Sequence, residues 1–338
     1  MSPLIVYKGG LLKVNGALAT SQTCCCGGTS GYASIWKLDT SLALDWIYDT
    51  GDNVHGTDAD SSGNIYASGQ RSGSKSVWKL NSAGALQWDY DTGADCRDIA
   101  VDSSGNVYIA GYRSGDVSVW KLNSAGALQW SYDTGDRAYG IAVDSSGNVY
   151  VVGYLSGGNS VWKLNSAGAF QWGYGTNGNT WEVDVDGSGN VYVAGARSGT
   201  KTVWKLNSAG VLQWDYDTTS DAQGIIVDGS GNVYISAIQS SSKSVYKLNS
   251  SGTYQWDYDT GNDAYNIDLD GSTNAYAVGE LGTSDKNLWK LNSSGVLQSS
   301  WGIKDEGAWS RMGVDTQINS IGINGTVVAL GGTRGEYS

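Results

Sequence analysis

Six positions spaced 42 residues apart carry side chains that stack, hydrogen-bond or titrate: His55, Arg97, Tyr139, Trp181, Gln223 and Tyr265. Aromatic faces stack on sugar C–H surfaces and apolar patches, while Arg and Gln supply directional hydrogen bonds, so the chemistry of this set is recognition. The flanks stay small or polar: Val54, Cys96, Ala138, Thr180, Ala222 and Ala264 before, and Gly56, Asp98, Gly140, Glu182, Gly224 and Asn266 after. A second variable series reads Gln70-Arg71, Tyr112-Arg113, Tyr154-Leu155, Ala196-Arg197, Ile238-Gln239 and Glu280-Leu281. It adds Tyr112, Arg113, Tyr154 and Arg197 to the binding candidates. Drift in exposed loops would favour Ser, Gly, Asn and Asp. Two Tyr, a Trp, an Arg, a His and a Gln at one position point instead to a binding surface.

Catalysis is less legible. No nucleophile–base pair stands out. The single histidine, His55, excludes a multi-His metal site and weakens a Ser-His-Asp reading. Asp98, Glu182 and Glu280 belong near the variable positions, and glycoside cleavage needs two carboxylates roughly 5 to 10 Å apart. The stretch Asp184-Val-Asp186-Gly-Ser-Gly-Asn190 resembles a metal loop but lacks the terminal Glu and spacing of an EF-hand, so its Asp reads as a turn cap. No catalytic residue, metal ligand or cofactor is assigned.

The elements that must position these residues repeat. Trp36, Trp78, Trp120, Trp162 and Trp204 are 42 residues apart, each followed by Lys-Leu; Tyr246 keeps the register and Trp289 follows one residue late. Trp46, Trp88, Trp130, Trp172, Trp214 and Trp256 lie ten residues behind. Twelve of the 15 Trp fall in these two series and read as packing between units. Trp181, Trp301 and Trp309 stand outside and are candidates for contact with another molecule. Asp-Ser-Ser-Gly-Asn and Asn-Ser-Ala-Gly are turn sequences. Between them lie short strands rich in Val, Ile, Tyr and Trp. One unit reads as strand a at 98–102, b at 107–111, c at 118–122 and d at 127–134, with the lysine of each Trp-Lys-Leu lying along apolar surface.

Four antiparallel strands per 42 residues predict an all-β propeller of four-stranded blades. Residues 32–50 supply only strands c and d, six full units follow to about residue 302, and 321–331 resembles a and b. The ring is then closed by N-terminal c–d strands with C-terminal a–b strands, giving seven blades over residues 31–338. Met312-Gly-Val-Asp315 also mimics strand a, which leaves the register of 301–320 open. The six variable residues stand in the loop just before strand a, the innermost strand, so they should ring one mouth of the central channel, and the b–c loop carrying the second series should open on the same face.

Residues 1–30 form an arm outside the repeat, with Cys24, Cys25 and Cys26 adjacent. Bonds to different chains, a soft metal, one vicinal disulfide, pairing with Cys96 at the channel mouth and free thiols are all open readings. Net charge is −12 with no basic cluster, which excludes nonspecific nucleic-acid binding. No apolar run approaches 18 residues, so no membrane insertion is expected. The N-terminus lacks the pattern of a signal peptide.

The segment DSSGNVYVAGY, assembled from these copies, resembles the bacterial β-propeller repeat family, whose units carry a GNVYVTG-like core. VYKLNSSGTYQWDYDTG (245–261) resembles the repeat of pyrroloquinoline-quinone enzymes and their non-enzymatic relatives. That resemblance implies a Gly in the c–d turn and a Trp after strand c that dock one blade onto the next, with Trp88, Trp130, Trp172, Trp214 and Trp256 at the matching place. The start of the arm is similar to N-termini of virion proteins of tailed bacterial viruses. The reading is a non-catalytic recognition propeller at a virion or cell surface, binding a glycan or protein receptor, with other virion proteins as partners of residues 1–30. The alternatives are a decoration or assembly scaffold of a virus particle, and a quinone-dependent or glycan-cleaving enzyme.

Overall fold

The computed structural model describes residues 6–7, 10–11, 34–39, 41–115, 117–239, 243–280, 286–302, 318–324 and 327–332. The side chains of residues 6–7, 10–11 and 113–114 lie outside the description, as do Cys24, Cys25, Cys26 and Trp309. Within the arm, Val6–Tyr7 pairs antiparallel with Gly10–Leu11.

Seven four-stranded antiparallel sheets form the blades of a propeller. Blade 1 runs Val54–Ala59, Ile65–Ser72, Lys75–Leu80 and Leu86–Tyr90 as strands a to d. Blade 2 runs Cys96–Val101, Val107–Ser114, Val117–Leu122 and Leu128–Tyr132. Blades 3 to 6 repeat this, with their a strands at Ala138–Val143, Thr180–Val185, Ala222–Val227 and Ala264–Leu269. Blade 7 is composite: strands a and b are Ile318–Asn324 and Val327–Gly332, and c and d are Ile35–Asp39 and Leu44–Tyr48. Ile35 faces Gly331 across that seam. The register left open between residues 301 and 320 is settled: strand a of blade 7 begins at Ile318.

The core lies between blades, because each sheet buries both faces against neighbours. Tyr108, Ala110 and Val119 of blade 2, for example, pack with Ile141, Val151, Trp162 and Leu164 of blade 3. At the a–b turn, Asp102 accepts hydrogen bonds from the Ser104 and Asn106 backbone N–H, from Asn106 Nδ2 and from Tyr108 Oη. Asp186 does the same in the loop that resembled a metal site, so its carboxylate is used within the turn. At the c–d turn, Trp88 crosses to the next blade, donates to Ser124 O at 3.1 Å and covers Gly126. A Cβ on Gly126 would lie 2.9 Å from the Trp88 ring, and its φ is +80°, so glycine is required twice over. Lys79 joins this joint, its ammonium over the Tyr66 ring.

The joint between blades 6 and 7 is built differently. Ser299 stands where the strand d Trp belongs, and Leu42 stands where the turn Gly belongs. Leu42 has φ +66° and is buried with Trp301, Tyr276 and Leu38. It fills the volume the missing indole leaves. Trp301, expected to contact another molecule, is therefore core: it is 5% exposed, at the end of strand d of blade 6. Cys96 is likewise core, fully buried and free, with Thr92 Oγ1 at 3.3 Å from its sulfur, which removes it as a partner for the arm.

Candidate functional site

All six variable residues sit on strand a, each as the extra residue of a β-bulge. Ala110 pairs with Asp98 and Gly111 with Cys96, leaving Arg97 unpaired between them. His55, Tyr139, Trp181, Gln223 and Tyr265 occupy the same bulge in their blades. Sequence reasoning put these residues in the loop before strand a. The bulge instead makes them the second residue of the strand and aims them away from the ladder. In blade 3 space for it comes from the facing glycine of strand b, since a Cβ on Gly153 would lie 2.2 Å from Arg137 O, whereas blade 5 keeps the bulge with Ala237 there.

The bulge residues converge. His55, Arg97, Tyr139, Trp181, Gln223 and Tyr265 line one cavity of about 520 Å³, within the range of small-ligand sites. Blade 7 adds Asn319, its own bulge residue, and Asp98, Glu182 and Asn266 lie one position further on. Asn319 was missed because the segment before it breaks the repeat.

The mouth is lopsided. On one side, Trp181 and Tyr139 meet edge to face at 5.0 Å between ring centroids. Tyr154 lies 5.4 Å from Tyr139, and Tyr112 6.3 Å. Arg97 stacks on Tyr112 at 4.5 Å and donates to its hydroxyl. Arg137, which sequence reasoning passed over, stacks on the same ring at 4.4 Å. Arg97 Nε and Trp181 Nε1 are buried without a hydrogen-bond partner among the described residues. The other side is polar and self-bonded: Tyr265 Oη donates to Glu280 at 2.9 Å, and Asn53 Nδ2 to Gln70. Burial and then the Arg97 charge push His55 down to about 4, so its imidazole is neutral at pH 7.

Arg197 is not in this cluster. Strand b extends through Ser198, and the exposed Arg197 pairs with Asp217 at 2.8 Å, as Arg71 does with Asp91 at 2.5 Å. Tyr112 and Tyr154 likewise sit in the lengthened strand b rather than a loop. The backbone of Arg113 lies beside Tyr112; its side chain and Trp309 are outside the described residues.

Below the mouth the channel is acidic. The inner edge of strand a has no strand partner, and carboxylates bind its N–H groups instead. Asp98 accepts from Ile99 N and, one blade on, from Ile141 N, both at 2.8 Å. Asp58, Asp184 and Asp268 staple their blades to the next in the same way. Burial, above all, raises Asp58 and Asp184 to about 6 and Asp268 to about 8. Asp98 and Glu182 face each other across Gly140, and burial followed by repulsion from Asp98 holds Glu182 well above the usual carboxyl range. A Cβ on Gly140 would lie 2.9 Å from Glu182 Cα, so this contact needs that glycine. Among the described residues, no group of three or more His, Cys, Asp or Glu side chains is arranged to hold a metal ion.

The comparisons with known proteins agree on the repeat and the fold. The family described as Beta-propeller repeat (SBBP) matches residues 90–115 and 131–157. No curated protein matches the chain in sequence. Among solved structures, virginiamycin B lyase from Staphylococcus aureus is similar with TM-score 0.66 at 11% identity, over 90% of this chain and 100% of that one. The WD40 β-propeller domain of Doa1 is similar with TM-score 0.66 at 11% identity, over 90% and 98%. A protein of unknown function from Bacteroides caccae is similar with TM-score 0.52 at 18% identity, over 69% and 92%. At these identities the likeness is one of fold, and a propeller fold leaves function to its sites.

Proposed function

We propose that this propeller is a non-catalytic recognition module that binds a glycan or protein receptor at the channel mouth. The observation that carries the reading is the bulge: a position where near-identical copies disagree is aimed into a shared cavity. Loops and strand ends on a rigid scaffold are the usual place for binding residues, and Tyr, Trp and Arg dominate binding surfaces. Asp98 and Glu182 do not favour glycoside cleavage. Both oxygens of Asp98 are taken by the Ile99 and Ile141 backbone N–H groups, whereas that reaction needs two carboxyls free to act on a sugar bond between them. The setting we propose is a virion or extracellular surface, with residues 1–30 and Cys24–Cys26 as the anchor.

The test is binding of the purified chain to a glycan array and to whole bacterial cells, beside a Trp181→Ala, Tyr139→Ala double variant of matched melting temperature. Loss of binding in the variant alone supports recognition at the mouth. Binding that survives the variant, or no binding by either protein, overturns it.

A further inference from the structure

Among the described residues, arginines come in two kinds. Arg71 and Arg197, outside the mouth, each bond an aspartate through two nitrogens. Arg97 and Arg137, at the mouth, have no carboxylate partner there. They lie within 4.5 Å of one tyrosine ring, Tyr112, and reach Tyr139 and Tyr154 at 5.7 Å. This is unexpected in a chain of net charge −12, with Asp95, Asp98 and Asp136 beside them in sequence. Asp98 is used elsewhere, on the Ile99 and Ile141 N–H groups. Two guanidinium charges therefore lack a carboxylate on the aromatic side, Arg97 in the cavity lining and the exposed Arg137 at its rim on Tyr112 and Tyr154.

The unsatisfied atoms there have one sign as well. Arg97 Nε and Trp181 Nε1 are both donors, and a buried donor left unpaired is costly. A ligand that settles here must bring acceptors and negative charge. Planar guanidinium groups match oxyanions through paired N–H donors. The neighbouring rings of Tyr139 and Trp181 offer apolar area beside that charge. Both donor atoms are buried, so a ligand reaches them only if the half-buried side chains around them rotate.

We infer that the ligand of the mouth is an acidic sugar, a saccharide bearing a carboxylate or sulfate, with its anionic group on Arg97 and Arg137 and its ring against Tyr139 and Trp181. This rests on the recognition reading above and specifies its ligand class.

The experiment is titration of the full chain with oligosaccharides ending in glucuronate, N-acetylneuraminate or sulfated galactose, beside their carboxyl-reduced or desulfated counterparts. Arg97→Gln, Arg97→Lys and Arg71→Gln are run in parallel, with melting temperatures. We expect at least one acidic probe to bind, and its neutral counterpart to bind roughly tenfold or more weakly. Arg97→Gln should lose binding by a similar factor, Arg97→Lys should fall between, and Arg71→Gln should bind as the parent does. The carboxylate and sulfate arms identify which anion is read. Equal binding of acidic and neutral probes, abolished by Trp181→Ala, would overturn the acidic-sugar inference and leave recognition standing. Binding of no saccharide, but of whole cells through the mouth, would overturn it in favour of a protein receptor. No binding in any arm overturns both readings.

Discussion

The two ends of the same blades obey opposite rules. At the a–b and c–d turns, copy after copy keeps one network: Asp to Asn and Tyr within the turn, Trp to Gly and Ser O across to the next blade. At the mouth, seven bulges hold seven side chains drawn from six residue types. The turns make contacts whose partners are themselves repeated, so a change in one copy leaves a partner unsatisfied. The bulge residue pairs with nothing in the ladder, so its identity is free for use by something outside the blade. Chemistry is thus confined to one end because the other end is occupied with holding blades together.

The contrast can be attacked at its strongest point first. Gly126→Leu puts a side chain into the Trp88 ring at a left-handed backbone position, and should destabilise by about 3 kcal/mol or more in thermal melts. Leu42→Gly, at the joint lacking the indole, relieves left-handed strain yet empties a buried site. It should still lose about 1–2 kcal/mol. If Leu42→Gly is stabilising instead, the leucine is not the substitute for the missing indole. Asp102→Ala strands the Tyr108 hydroxyl and the Asn106 amide, and about 2 kcal/mol is expected by denaturant unfolding.

The acidic channel gives a pH dependence of intermediate size. Asp58, Asp184 and Asp268 hold their protons more tightly folded than unfolded. Their contribution is complete below the unfolded carboxyl range near pH 4 and is lost as pH climbs through about 6 and then about 8. The turn aspartates, such as Asp102 and Asp144, are lowered, and their contribution is lost as pH falls below about 4. Melting temperature should therefore peak near pH 5 and drop by several degrees toward pH 8, and Asp268→Asn should flatten that drop. The smallest expected effect is at the mouth. Converting Gln223 and Tyr265 to Ser should change stability by less than about 1 kcal/mol, because neither is fully buried or in the ladder.

The 42-residue spacing made the blades, their number and the split seventh blade legible, since each strand and turn announced itself many times. The convergence of the six variable residues was legible from strand a being innermost. The bulge was not, because its only trace is a small residue before it and the glycine of strand b, which also reads as a strand end. Asn319 and Trp301 were misjudged or missed where the repeat breaks, and Cys96 because its neighbour Arg97 drew it toward the surface. The Asp98–Glu182 contact joins blades 2 and 4 over Gly140, a pairing that no one repeat contains.

The composite blade has a consequence for how the molecule comes into being. Ile35–Asp39 pairs on its inner edge with Val327–Gly332, which lies far later in the chain. Until Val327–Gly332 is made and docks, that edge stays open, a template for pairing with any other extended chain. Contacts of such long range are also the slowest to form. Ring closure is then a check on the seam: a product cut before Val327 keeps an adhesive edge, and docking of Val327–Gly332 hides it.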